Sequence, residues 1–314
     1  MLSNLLIVLP VFALILTGWV ARRSGALGPN ATREVNRLVV HLALPALLFD
    51  IMAGAEPEQI WRPGFILAFA GGCGIVFGLT LWLRMRRGRP LADAAIEALN
   101  ASYANTGFIG FPLALSVAGE AGMAPTLAAT ILTVSVLFAF AIILIESGLR
   151  REGSRWRILR KTFVSLARNP LLIAPVLGAA FMVSGWSTPE PLDAYLRLLG
   201  GAASPCALIA LGLFLAGSSG REAAAEAGRG VERLLILLKL IGQPLITWII
   251  AGPLLGLPAD ATRLVVLLAA LPTGTGPFML AELYEREGLL TARVVLKTTI
   301  LSVGTISAYL AFAA

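Results

Sequence analysis

The chain has 314 residues, of which 57% are hydrophobic and only 14% are charged, with a mean hydropathy of +0.83. This composition excludes an ordinary water-soluble domain and a disordered chain, and it predicts an all-α, polytopic membrane protein. The net charge of +7 comes from basic residues spread over short loops. That dispersal is typical of loops retained in the cytoplasm and does not indicate a nucleic-acid partner.

Segments of about 20 apolar residues, the length needed to cross a bilayer, recur ten times along the chain. The ten predicted spans cover residues 4–21, 35–53, 65–83, 91–117, 126–147, 170–185, 195–216, 234–255, 264–284 and 289–312. The two cysteines lie within apolar segments and the single histidine has no ligand cluster around it. We therefore expect no disulfide, no metal site and no cofactor.

The loops between the spans differ strongly in charge. Most of the 25 Lys and Arg residues follow predicted spans one, three, five, seven and nine, whereas the opposite loops contain only Arg62, Arg197 and Arg263. The positive-inside rule then places the basic loop 150–168 in the cytoplasm and both termini on the other side.

Proline and glycine positions repeat along the chain at an offset of 160 residues. The aligned pairs are Pro10 with Pro170, Gly18 with Gly178, Pro45 with Pro205, and Pro112 with Pro272. Because each half contains five spans, an odd number, the halves must enter the membrane from opposite sides, which predicts an inverted repeat. We therefore divide the chain into a first repeat (1–147), a basic cytoplasmic linker (148–168) and a second repeat (169–314).

Two apolar spans contain segments that do not suit an unbroken helix. The first, NASYANTGFIGFPLAL at 100–115, includes Gly107, Gly110 and Pro112, and the second, LPTGTGPFML at 271–280, includes Pro272 and Pro277. Proline removes a donor and glycine lowers the cost of non-helical backbone. Such backbone survives at membrane depth only beside protein or a water-filled cavity. A pair of these segments in matching positions predicts a transporter's binding site at the break in each helix.

These motifs resemble those of a known family. Residues 105–112 fit Asn-x-Gly-[Phe/Met]-x-Gly-x-Pro, the fourth-span signature of the auxin efflux carrier family. Its other landmarks resemble LALPALLF at 42–49, NPLLIAPVLG at 169–178, SPCALIALG at 204–212 and PTGTGPFMLAELY at 272–284. The likeness extends over essentially the whole chain.

The resemblance implies ten helices in two inverted five-helix repeats, a fold shared with the bile-acid/sodium symporters, with helices 4 and 9 broken and crossing. It also implies a scaffold of helices 1, 2, 6 and 7, a transport domain of helices 3–5 and 8–10, an elevator mechanism, and a homodimer through the scaffold. Family substrates are small organic acids, namely auxin in plants and malate or malonate in some bacteria. The chain lacks the plant carriers' long central loop and has Thr273, Thr275 and Gly276 near the crossing, where they place an asparagine, which argues against auxin.

The restarted helices would supply the binding groups. Each new N-terminus carries amide donors and about half a positive charge, and two that converge from opposite leaflets favour an anion. Pro112 and Pro277 suit the first turn of a restarted helix. The predicted substrate-binding residues are Tyr103, Asn105, Thr106, Gly107, Thr273, Gly274, Thr275, Gly276 and Lys297. The alternative is that the polar side chains only cap the broken helices.

Four of the ionisable residues within predicted spans are considered as functional candidates, because charge at membrane depth marks function by default. Lys297 is expected either to neutralise a substrate carboxylate or to pair with a carboxylate of the transport domain. Asp50 and His41 are candidates for proton or ion coupling. The alternatives are that Asp50 only lies near the outer end of its span and that His41 is an ordinary packing residue. Lys239, six residues after Arg233, is expected to snorkel to the cytoplasmic face.

The sequence as a whole predicts a secondary transporter of a small organic anion, a mono- or dicarboxylate, across the bacterial inner membrane. Coupling to protons or to sodium stays open at this point. The alternatives are a sodium-coupled organic anion symporter of the bile-acid type and a non-transporting ligand sensor. An enzyme is disfavoured because the sequence offers no set of nucleophile, base and acid.

Overall fold

The computed structural model describes residues 2–149, 166–186, 188–217 and 229–312. Within them every regular element is a helix and there is no β-strand, which confirms the all-α prediction. Most of the predicted basic linker, residues 150–165, lies outside the described residues.

Thirteen helices position the candidate site. They are α1 (Leu2–Arg23), α2 (Ala31–Ala53), α3 (Pro63–Arg86), α4 (Leu91–Ser102), α5 (Phe111–Ala118), α6 (Met123–Ile131), α7 (Phe138–Leu149), α8 (Pro170–Ser184), α9 (Glu190–Gly217), α10 (Arg229–Leu254), α11 (Ala259–Ala269), α12 (Gly276–Leu283) and α13 (Gly288–Phe312). Among the described residues, six helical runs are long and apolar enough to cross a membrane: α2, α3, the run Thr106–Leu149, α9, α10 and α13. The protein is therefore a multi-pass membrane protein.

Three of the prolines inside these helices follow a local widening of the backbone. Three π turns, at Val39–Ala43, Thr106–Gly110 and Leu238–Gly242, each end two residues before a proline, namely Pro45, Pro112 and Pro244. A proline has no amide donor and its ring crowds the carbonyl one turn earlier. The wider turn moves that carbonyl aside, so the helix continues through the proline.

Glycines allow four helices to pack backbone against backbone. A Cβ on Gly18 of α1 would lie 2.1 Å from the Ile209 carbonyl oxygen of α9, and one on Gly212 would lie 1.9 Å from the Ile15 oxygen. Likewise, a Cβ on Gly178 of α8 would lie 2.7 Å from a backbone oxygen of α2. The residues that the 160-residue offset pairs, Gly18 and Gly178, thus make equivalent close contacts in two different helix pairs.

The remaining helices surround two short, buried ones. All residues of α4 from Ala92 to Ser102 are buried, because α3 and α7 pack along it. Residues Leu264–Ala269 of α11 are buried in the same way against α3 and α10. Both α4 and α11 end in the protein interior, and the candidate site is formed where they end.

Candidate functional site

The chain leaves helical geometry twice in the interior, and the two non-helical segments meet. α4 ends at Ser102 and helix resumes at Thr106, while α11 ends at Ala269 and α12 begins at Gly276. Between these ends, Ala104 and Thr273 form an isolated antiparallel backbone pair. We call this paired region, residues 103–105 and 270–275, the crossing.

Backbone hydrogen bonds hold the crossing together. The Asn105 N–H donates to the Pro272 carbonyl oxygen at 2.9 Å, and the Gly274 N–H donates to the Tyr103 oxygen at 3.0 Å. The Thr273 hydroxyl donates to the Asn100 carbonyl oxygen at 2.8 Å. Each strand-like segment therefore satisfies polar backbone groups of the other, as buried non-helical backbone requires.

Two glycines make room for an aromatic ring at the crossing. A Cβ on Gly276 would lie 2.5 Å from Tyr103 Cζ, and one on Gly274 would lie 2.9 Å from Cε1 of the same ring. The Tyr103 ring also contacts the Phe138 ring, with centroids 5.8 Å apart. The glycines of the TGTG sequence are thus needed for the close contact with Tyr103.

Two helix N-termini point into this region. The run that leads into α5 begins at Thr106, and α12 begins at Gly276. The first amide donors of a helix have no acceptor within that helix, and the aligned peptides give each N-terminus a partial positive charge. These two N-termini therefore bring partial positive charge to the crossing.

A cavity of about 340 Å³ adjoins the crossing. It is lined by α2, by α9, by the α4–α5 connection, by the run 123–137 and by the start of α12. Its polar side chains belong to Tyr103, Asn105, Thr130, Ser204 and Thr275, and none of the described residues that line it is charged. Apolar walls are supplied by Leu44, Leu47, Ile51, Phe108, Phe111 and Val134. The volume suits a small organic molecule.

Nearly the whole chain matches a known protein family. A sequence profile for the family described as "Membrane transport protein" matches residues 5–310. The chain belongs to this membrane transport protein family. The predicted resemblance to auxin efflux carriers is thereby confirmed.

Relatives within the membrane transport protein family span nearly the whole chain. A "Putative malonate transporter" of Rhizobium meliloti (strain 1021) is 29% identical and covers 97% of this chain and 94% of its own length. The "Uncharacterized transporter YfdV" of Escherichia coli (strain K12) is 27% identical over 89% of each chain. The "Probable auxin efflux carrier component 5c" of Oryza sativa subsp. japonica is 24% identical over 88% of each chain. The family and these names describe transporters rather than enzymes.

Of the nine predicted substrate-binding residues, four line the cavity: Tyr103, Asn105, Gly107 and Thr275. The Asn105 side chain is partly exposed, and no described residue forms a hydrogen bond with its amide group. Thr273 and Gly274 lie in the crossing, and Thr106 and Gly276 begin the helices that follow it, but none of these four residues lines the cavity. The Thr106 hydroxyl is buried without a hydrogen-bond partner.

The ninth residue, Lys297, lies away from the cavity. Its ammonium group forms an ion pair with Glu232 of α10, whose side chain is 5% exposed. This contact corresponds to the second of the two expectations for Lys297, pairing with a carboxylate of the predicted transport domain.

Lys239 does not behave as the sequence predicted. Its side chain is fully buried, and Nζ donates to the Ala269 carbonyl oxygen at 2.8 Å. The expectation that it snorkels to the membrane surface is therefore wrong. Ala269 is the last residue of α11, and its carbonyl lies at the negative end of that helix, so Lys239 stabilises the C-terminal end of α11.

The predicted coupling residues also lie outside the cavity. Asp50 is partly exposed near the end of α2, close to Asp193 and Arg197 of α9. His41 is exposed, and its Nδ1 lies 3.1 Å from the Arg37 carbonyl oxygen one turn earlier. Neither contacts the crossing in this conformation.

The four predicted break residues fall on both sides of the interruptions. Pro272 lies in the crossing and Pro277 is the second residue of α12, as a helix start requires. Gly110 and Pro112 differ from expectation, because helix has already resumed at Thr106. The π turn before Pro112 explains how the helix can begin earlier than the proline would suggest.

A cluster of six charged residues lies at the helix ends nearest the basic loops, and sequence reasoning missed it. The members of this charge cluster are Arg84, Arg89, Asp93, Glu97, Arg286 and Glu287. Because the arginines were already explained by the positive-inside rule, their acidic partners were not sought. The spacing of Asp93 and Glu97, i and i+4 in an otherwise apolar helix, could have revealed them.

The charge cluster joins the α3–α4 turn to the α12–α13 turn. Arg84 and Arg286 form paired contacts with Glu97 and Asp93, respectively, including N–O distances of 3.2 Å and 3.1 Å. Arg89 ion-pairs with Glu287, and its Nε lies 3.2 Å from Glu97, although that N–H is not aimed at the oxygen. Burial raises the pKa of Glu287 above its usual value, while Arg89 opposes that rise.

Proposed function

We propose that this protein is a secondary transporter that moves a small organic anion across the membrane through the cavity beside the crossing. The observation that carries the proposal is the crossing itself, where Asn105 and Gly274 exchange backbone hydrogen bonds with Pro272 and Tyr103. Paired breaks of this kind in a membrane transport protein favour a binding site at that point.

The chemistry of the cavity favours an anion. Two helix N-termini contribute partial positive charge, and Asn105, Ser204 and Thr275 offer amide and hydroxyl donors. No described lining residue carries a carboxylate that would repel a negative ligand.

The lining also favours an anion with a single charge. Lys297 is paired with Glu232 and Lys239 with the Ala269 carbonyl, so neither ammonium is available to a second carboxylate. A dianion would lose the hydration of two carboxylates with only neutral donors in exchange. We therefore propose a monocarboxylate with an apolar body, which Leu47 and Phe108 would contact. A dicarboxylate, as the malonate name of one relative suggests, is the alternative.

The arrangement of helices supports an elevator mechanism. We propose a ten-helix inverted repeat with a scaffold of α1, α2, α8 and α9 and a transport domain of the other helices. The cavity has walls from both groups. A buried hydrogen bond from Asn36 Nδ2 of α2 to the Met279 oxygen of α12 at 3.2 Å joins the two groups and would break when they slide past each other.

Coupling, location and assembly complete the proposal. Lys239 already places a cation at the carbonyl end of α11, which supports transport without sodium at that position. Outward movement of a monoanion could use the membrane potential, at about 2.3 kcal/mol per charge per 100 mV. We propose a bacterial inner membrane location with both termini periplasmic, and a homodimer through the scaffold helices.

The test is transport by purified protein in liposomes. Labelled butyrate, benzoate, malonate and malate would be offered at both signs of membrane potential, with and without sodium. We expect potential-dependent movement of the monocarboxylates, without a sodium requirement. Movement of none of the four acids under any condition would contradict the proposal, and a preference for malonate would contradict the monoanion assignment alone.

A further inference from the structure

A second and larger cavity, of about 640 Å³, lies at the opposite end of the helices from the charge cluster. Its walls come from the start of α3, the end of α5, the start of α6 and the start of α11. None of these elements contributes to the proposed scaffold. We call it the outer cavity, because it lies on the side opposite the basic loops.

The outer cavity contains two of the three basic residues that the chain places on that side. Arg62 and Arg263 both line it, and so does Asp260. No described acidic side chain forms an ion pair with either arginine, and the buried Nε of Arg263 has no hydrogen-bond partner. A buried guanidinium N–H without an acceptor is costly unless a ligand supplies one.

The charges that line the outer cavity indicate the charge of a ligand that would fit it. Two arginines and one aspartate give the outer cavity a net charge of about +1 at neutral pH. The N-termini of α3 and α11 add partial positive charge at the same wall. A group with one negative charge would neutralise the cavity, and the planar guanidinium groups suit phosphate oxygens.

The rest of the lining is apolar. Phe65, Val117, Leu257 and Leu264 supply aliphatic and aromatic walls next to the arginines. Gly64 permits this packing, since a Cβ there would lie 2.6 Å from Leu257 Cδ2. The cavity therefore offers a charged end and an apolar body, which fits an amphiphile better than a free inorganic ion.

The surrounding surface is typical of a membrane boundary. Arg62 immediately precedes α3, and its neighbour Trp61 is 71% exposed. Tryptophan is enriched at the level of lipid headgroups. A ligand that enters beside α3 at this level meets the headgroup region of the bilayer.

We propose that the outer cavity binds the headgroup of an anionic phospholipid such as phosphatidylglycerol. The phosphodiester accepts hydrogen bonds from Arg62 and Arg263, and Asp260 accepts one from a glycerol hydroxyl of the headgroup. This site is separate from the proposed substrate cavity and shares no lining residue with it. It makes the helices that line it, all in the proposed transport domain, responsive to lipid composition.

The experiment measures lipid binding to the purified full-length protein in detergent. Dihexanoyl phosphatidylglycerol, dihexanoyl phosphatidylcholine and sodium phosphate would be titrated while the melting temperature is recorded, and bound lipid would be counted by native mass spectrometry. We expect phosphatidylglycerol to raise the melting temperature. Phosphatidylcholine, whose choline adds a positive charge, should have much less effect.

Three variants decide the assignment. Arg62→Gln and Arg263→Gln should lose most of the rise caused by phosphatidylglycerol. Arg197→Gln is the matched control, because Arg197 is on the same side but pairs with Asp193 at 2.9 Å and does not line the cavity. If Arg263→Gln does not fold, the exposed Arg62 variant alone supplies the test. An unchanged rise in the folded variants would overturn the proposal, and an equal rise with sodium phosphate would overturn the lipid assignment in favour of a free anion.

Discussion

The crossing and the charge cluster differ in how their polar groups are paired inside a membrane protein. In the charge cluster, three arginines and three carboxylates pair with one another, and Glu97 is only 1% exposed at its side chain. At the crossing, backbone groups pair with one another, and none of the described residues that line the cavity beside it is charged. The formally charged side chains thus lie where they neutralise each other. The proposed substrate site uses partial charges instead, which would allow the ligand to dissociate.

The strongest contrast should appear in stability. Glu97→Ala leaves Arg84 buried without its carboxylate, so we expect a loss of about 3–5 kcal/mol in the free energy of unfolding. Denaturant unfolding in detergent measures this. The control is Arg33→Gln, which removes an exposed pair with Glu285 at 3.5 Å and should cost about 0–1 kcal/mol. Equal losses of stability in the two variants would show that burial does not determine how much each ion pair contributes to the free energy of unfolding.

Asn105 should show the reverse pattern. Asn105→Ala removes a donor to a charged ligand, which costs about 1.5–3 kcal/mol, or roughly 10- to 100-fold in substrate affinity. The melting temperature should stay near that of the wild type, because no described residue hydrogen-bonds to the side chain. Liposome uptake over a range of substrate concentrations checks this. Unchanged uptake would remove Asn105 from the site.

The two glycines on either side of the crossing test its shape. In Gly276→Ala the new Cβ would press against Tyr103 at 2.5 Å, so we expect a penalty of about 1–3 kcal/mol in stability and reduced uptake. In Gly107→Ala the nearest atom is Thr130 Cγ2 at 3.8 Å, an ordinary contact. The Gly107 variant should therefore fold like the wild type, and a loss of stability equal to that of Gly276→Ala would contradict the assigned contact.

The smallest expected effect concerns pH. Burial holds the pKa of Glu287 above its ordinary value of 4.5, so the folded protein binds this proton more tightly than the unfolded chain does. Stability should then fall as pH rises through 4.5 and level off above the raised pKa. Glu287→Gln should remove that slope in melting temperatures recorded from acidic to neutral pH. Glu285→Gln, at an exposed neighbour, should leave it in place.

The regions where the chain leaves helical geometry depend on local properties, which the sequence contains. Glycine and proline act on the backbone of their own and adjacent turns, so TGTGP indicates non-helical backbone without any knowledge of neighbours. The first segment after Ser102 becomes helical at Thr106, earlier than Pro112 suggests, because a π turn accommodates that proline. The local signal and the observed helix start therefore differ by about two turns.

Charges were harder to place because their partners are distant in sequence. Arg286 meets Asp93 across 193 residues, and no periodicity links the two. Lys239 was assigned to the membrane surface from its distance to Arg233 along one helix. Its actual acceptor, the Ala269 carbonyl, belongs to a different helix, α11, which ends in the protein interior. For Lys297, the sequence predicted either a substrate carboxylate or a carboxylate of the transport domain as its partner, but it could not identify Glu232.

The glycine contacts between α1 and α9 and between α8 and α2 have a consequence for mutational tolerance. At Gly18, Gly178 and Gly212 even one methyl group would overlap a neighbouring backbone oxygen. A saturation library selected for folding should therefore be depleted of every substitution at these positions, whereas Val176, which is 67% exposed on α8, should accept most apolar residues. Val176 and Gly178 lie two residues apart on one helix, yet many amino acids would be tolerated at the first position and only glycine at the second.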